Sequence, residues 1–164
     1  MKELTQISSA VITALNAAGL HAIAAFPAQG IKQCPGPIAA VAVGAAEGKA
    51  LGFCNYLGET YDEDAGTVRE IYGKQLEGII TVDIWAERAA DCEDGCETAA
   101  EVLMGGLPEG IRAGELNWEG ICWEKETGMF LRKGKLQCQA LFVAKTDEEE
   151  SLFLNFRLRG VMTE

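Results

Sequence analysis

The sequence is short of most of what catalysis uses. It has one histidine, His21, in 164 residues. Any Ser-His-Asp or Cys-His arrangement would have to use it. His21 follows a predicted helix end and opens a small apolar strand, where a structural or exposed imidazole is the simpler reading. No stretch approaches the ~20 apolar residues that cross a bilayer. Glu3, Gln6, Ser8, Ser9 and Asn16 interrupt the N-terminal segment, so a secretory leader is not expected. Positive charge is also scarce. Lys and Arg number 14 against 25 Asp and Glu, a formal net charge of −11. That balance disfavours a nucleic-acid backbone and an anionic membrane surface, and neither is expected as a direct partner.

Phosphate and metal signatures are missing too. Residues Val43 to Lys49 lack the first glycine of a phosphate-binding loop and the Ser or Thr after Lys49. Of the six cysteines, Cys34, Cys54, Cys92, Cys96, Cys122 and Cys138, only Cys92 and Cys96 form a close pair. A zinc site ordinarily adds a second pair. Reduced, buried thiols in a reducing compartment are the expectation. Asp62 and Asp64 could hold a divalent cation, but a solvated loop is the plainer reading. No catalytic residue, cofactor or metal site is expected, and the chain is not expected to be an enzyme.

What is present is an ordinary globular balance, 48% hydrophobic and 24% charged, in one domain's length. A single soluble domain over 1–164 is expected. Leu4, Ile7, Val11, Leu15 and Ala18 predict a helix over 3–18, ended by Gly19. Strands are predicted at 21–26 and 38–46. Five glycines and an acidic cluster at Glu59, Asp62, Glu63 and Asp64 predict a long irregular loop over 47–74, mobile and ordered by a partner. Residues 75–86 predict a strand with Leu76, Gly78, Ile80, Val82, Ile84 and Ala86 on one face. Glu77, Ile79, Thr81, Asp83 and Trp85 lie on the other. Cys92, Cys96, Ala99 and Leu103 predict a second helix over 92–106. Strands at 115–124, 129–144 and 151–162 complete a meander, the first two joined by a turn at Lys125–Gly128. Trp85, Trp118 and Trp123 fall in strands and suit core or subunit packing. The fold class expected is α+β, a mainly antiparallel sheet with two helices on one face.

This order of elements resembles that of phage tail-terminator, or tail-completion, proteins. Three stretches carry the resemblance. They are Tyr56-Leu57-Gly58-Glu59; Gly73-Lys74-Gln75-Leu76-Glu77, leading into Ile84-Trp85-Ala86; and Glu126 to Lys133 (ETGMFLRK), followed by Leu136-Gln137-Cys138. The resemblance implies a structural virion protein: a hexameric ring that caps the tail tube and meets the head or neck. The implied partners are further copies of itself, the tail tube protein and a neck or head-completion protein. The implied location is the bacterial cytoplasm during assembly and then the virion or a tail-like particle. Another neck, connector or tube-end component would fit similarly. A head-to-tail ring would use separated charges, here acidic Asp62, Glu63 and Asp64 against basic Arg132, Lys133, Lys135, Arg157 and Arg159. The rival of another class is a small acidic inhibitor that mimics DNA, against which the basic pairs of the last strands count.

Overall fold

Ile7, Val11 and Leu15 recur at four-residue steps, and these are the side chains that the first helix, α1 (Lys2–Ala17), buries. Gly19 ends it at φ +90°, a conformation glycine adopts without strain. The structure, a computed structural model, describes residues 2–25, 36–145 and 157–158. After α1 come β1 (His21–Ala24), β2 (Ile38–Ala50), β3 (Tyr56–Asp62) and β4 (Thr67–Ala86). Helix α2 (Ala89–Gly105) follows, then β5 (Ile111–Trp118), β6 (Cys122–Glu124), β7 (Met129–Lys145) and β8 (Arg157–Leu158).

The strands form one sheet in the order β1-β2-β4-β7-β5, with β3 beside β4 and with β6 and β8 beside β7. Only β1 and β2 run parallel among the described pairs. The long pair β4–β7 keeps one unbroken register from Ile71↔Lys145 to Ala86↔Phe130. Both helices pack on the same side. A single buried cluster joins Val11 and Leu15 of α1, and Cys92, Ala99 and Leu103 of α2, to Val41, Ile80, Val82, Ile84, Leu136 and Phe142. Burying a side chain such as Phe142 or Leu15 stabilises the fold by roughly 1.5–3 kcal/mol. The fold is the expected α+β arrangement, and in the second half of β4 the even-numbered Leu76, Ile80, Val82, Ile84 and Ala86 are the buried ones.

Gly95 sets how closely α2 approaches the sheet. A Cβ there would lie 2.9 Å from Pro37 Cβ and 3.0 Å from Ile84 Cγ2. The helix starts at Ala89, earlier than the predicted 92, and Arg88 at its N-cap donates two hydrogen bonds to the Asp91 carboxylate in the first turn, at 2.8 and 2.6 Å. Strand β5 likewise starts at Ile111 rather than 115 and breaks before β6. The turn at Lys125–Gly128 is as expected, with Gly128 at φ +65° and its N–H donating to the Glu124 carbonyl at 2.9 Å. Of the predicted strand at 151–162, only Arg157 and Leu158 lie within the described residues, paired with Val143 and Phe142.

The largest correction concerns 47–74. It is not an irregular loop. β2 runs on to Ala50, and β3 and the first part of β4 form a hairpin arm closed by the turn 63–66. Three of its five glycines serve the turns and a bulge, namely Gly52 at φ +61°, Gly66 at +64° and Gly58 at +130°, where the β3–β4 register shifts, while Gly48 and Gly73 lie within β2 and β4. Both faces of the arm are largely polar, so no apolar alternation marked it as strand.

Candidate interaction surfaces

The arm positions the acidic residues picked out in the sequence. Asp62 ends β3, and its Oδ1 accepts the N–H groups of Asp64 and Ala65 at 3.1 and 3.0 Å. Its other oxygen lies 3.1 Å from Arg69 Nη2. Asp62 therefore serves the turn and an ion pair within the arm. Glu63 and Asp64 sit exposed at the tip.

Behind the tip lies a surface that the sequence reading missed. Cross-strand register pairs Tyr61 with Val68, Glu59 with Glu70, and Tyr56 with Tyr72. The Tyr56 and Tyr72 rings meet edge to face, 5.7 Å between centroids. Tyr61 is 63% exposed and Val68 56%. The Tyr72 hydroxyl donates to Glu70 at 2.7 Å, and this bond, with burial second, raises its pKa above the ordinary tyrosine value. Burial first, and then the Glu59 charge, do the same for Tyr56. Phe53 and Leu57 at the base of the arm are exposed as well. The signal available in the sequence was the tyrosine and β-branched pairing on either side of the Glu63–Gly66 turn, hidden by the loop reading.

The basic residues lie at the other end of the same strand pair, and alternation divides them. Arg132 shares the helix-facing side with Leu136. Its Nε donates to the Glu119 carbonyl at 2.9 Å, and it borders a shallow depression with Glu93, Cys96, Glu97 and Trp118. Lys133 and Lys135 point to the opposite face, in register with Asp83 and Thr81. Both are exposed, and Lys135 approaches Glu119 at 3.5 Å. Asp83 sits between Ala40 and Lys133, and burial raises its pKa although the Lys133 charge opposes this. The stretch of β4 from Thr67 to Asp83 spans about 50 Å at roughly 3.3 Å per residue. The structure does not bring Asp62, Glu63 and Asp64 together with Arg132, Lys133 and Lys135 within one subunit. The Arg157 side chain and Arg159 lie outside the described residues.

The thiols divide as well. Cys92, Cys96 and Cys138 are buried, whereas Cys54 and Cys122 are exposed, contrary to the uniform burial expected; Cys34 lies outside the described residues. Burial pushes the Cys96 thiol up to about 12 and that of Cys138 to about 11, far from the free thiolate that a nucleophilic cysteine uses. Among the described residues no three His, Cys, Asp or Glu side chains converge as a metal ion would need. No helix among them is long and apolar enough to cross a membrane. Trp118 and Trp85 are partly buried in the sheet, while Trp123 is 52% exposed beside Phe130, 4.9 Å between ring centroids. An open depression of about 550 Å³ crosses the sheet where β2 and β5 bulge, lined by Glu47, Glu77, Arg112, Gln137 and Gln139 among others. Glu77 there is already held by Lys49, Gln75 and Gln139.

No known protein family matches the chain. No curated protein matches it either. Among solved structures, a chain described as "Virion of native gene transfer agent (GTA) particle" superposes with a TM-score of 0.37 at 17% identity, over 84% of this chain and 94% of that one. The likeness is too loose for a shared role to follow from it.

Proposed function

We propose that this chain is a non-catalytic, ring-forming structural component of a phage-type particle, a tail terminator that caps the tail tube and joins it to the head or neck. The observation that supports the reading is the separation of two exposed charged pairs on one subunit: Glu63 and Asp64 at the arm tip, and Lys133 and Lys135 about 50 Å further along the length of β4. Two different surfaces on one subunit make a head-to-tail contact, and such contacts close into rings when the rotation allows. The ring is a hexamer, and its partners are the tail tube protein and a neck or head-completion protein.

The test mixes the purified full-length chain with polymerising tail tube protein and examines the tubes by electron microscopy. A six-fold ring at one tube end, with elongation arrested, is the expected result. Tubes that elongate unchanged and bare at both ends would refute the reading.

A further inference from the structure

Resting on that reading, we propose that the tyrosine-and-glutamate face of the arm, formed by Tyr56, Glu59, Tyr61, Val68, Glu70 and Tyr72, is the seat for Lys133 and Lys135 of a second copy of this chain.

Three features of the arm point to a cationic guest. Glu59 and Glu70 stand directly opposite each other across β3 and β4. Like charges so placed destabilise a strand pair, and although Glu70 already accepts the Tyr72 hydroxyl, a cation set beside the two carboxylates would lessen that cost. Tyrosine rings flank the carboxylates on both sides, and the face of such a ring attracts an ammonium group. The tip carries Tyr61 and Val68 largely exposed and adjacent, an apolar pair that gains from cover. Lys133 and Lys135 match this surface. They stand two residues apart on one side of β7, the spacing at which strand side chains share a face. The contact of Lys135 with Glu119, both more than half exposed, is loose and screened by solvent.

The geometry also selects the occupant. The arm face follows the even-numbered, helix-side alternation of β4, whereas the lysines lie on the opposite side at the opposite end. Overlap of one subunit's arm on the next subunit's far end is therefore a lap joint that repeats in one direction. Arm against arm would set Glu59 and Glu70 against their own copies, which repulsion disfavours.

The experiment uses two full-length variants, Glu59→Lys/Glu70→Lys and Lys133→Glu/Lys135→Glu. Circular dichroism confirms their folding, and light scattering at low salt reports self-association beside the unaltered chain. Each variant alone should associate about tenfold or more weakly, or not at all. An equimolar mixture should recover assembly, because each arm then meets a complementary end. Should a variant fail to fold, a photo-crosslinking benzoylphenylalanine at position 61 of the otherwise unaltered chain replaces it. A crosslink to residues 130–137 of another copy supports the seat. A crosslink elsewhere, or none despite assembly, overturns it. Normal assembly of each variant alone, or loss that mixing does not restore, overturns the seat while leaving ring formation standing. Normal self-association of the arm variant with loss of tube binding assigns the arm to the tube protein and likewise overturns it. An unaltered chain that associates neither alone nor on tube ends removes the ring and the seat together.

Discussion

Gly134 shows how much one absent side chain can position. A Cβ at that residue would lie 2.7 Å from Trp118 Cε3, with other ring atoms closer still or nearly so, because the indole of β5 lies across the β7 backbone. Gly134→Val should displace the ring and destabilise the protein by about 1–3 kcal/mol, measured by urea unfolding, with a changed tryptophan emission. Asp83 makes a second residue-scale prediction. Its folded pKa is raised, chiefly by burial, so its favourable contribution is complete below the ordinary value of 3.8 and is lost as pH rises through the raised one. Asp83→Asn should therefore be the more stable protein at pH 7. Thermal melts should show the gain shrinking to nothing near pH 3. Neither residue announced its role in the sequence. The demand on Gly134 comes from a tryptophan sixteen positions away in the chain, and that on Gly95 from Pro37 and Ile84. A glycine's own neighbours in sequence carry no trace of such contacts.

At the scale of elements, legibility followed the apolar pattern. α1, α2, β7 and the second half of β4 each carry a stripe or alternation that one covered face imposes, and each lies close to its predicted bounds. The arm carries no such pattern because neither of its faces joins the core, so in sequence its glycines look like breaks between elements. Its acidic tip was legible, and the division of Arg132 from Lys133 and Lys135 follows from strand alternation once the strand is known. The surface formed by Tyr56, Glu59, Tyr61 and Glu70 depends on cross-strand register, which composition does not reveal. Replacing Glu63 and Asp64 together by serine should leave the melting temperature within a few degrees, because Asp62 and not these two holds the turn. The link between α1 and the sheet behaves differently. Lys74 Nζ lies 2.5 Å from Glu3 Oε1, and that hydrogen bond holds the Glu3 pKa below its ordinary 4.5. The contribution is present above that value and is lost as pH falls through the lowered one. Glu3→Gln should cost up to about 1 kcal/mol at pH 7 and nothing near pH 2, by chemical denaturation at the two pH values.

For the whole molecule, a net charge of −11 and a long two-ended strand pair act together. The overall charge opposes crowding of subunits, and in the proposed ring the complementarity of arm and far end would select one mode of approach. If the ring forms as proposed, raising salt should weaken its short-range charged contacts, while cover of the exposed Tyr61 and Val68 by a neighbour would persist. The tail-terminator role is tested most directly by deleting the gene from the parent particle and measuring tails by electron microscopy. The account predicts tails that are overlong or unjoined to heads, restored by the unaltered gene supplied in trans. Tails of normal length, joined to heads in its absence, would contradict it.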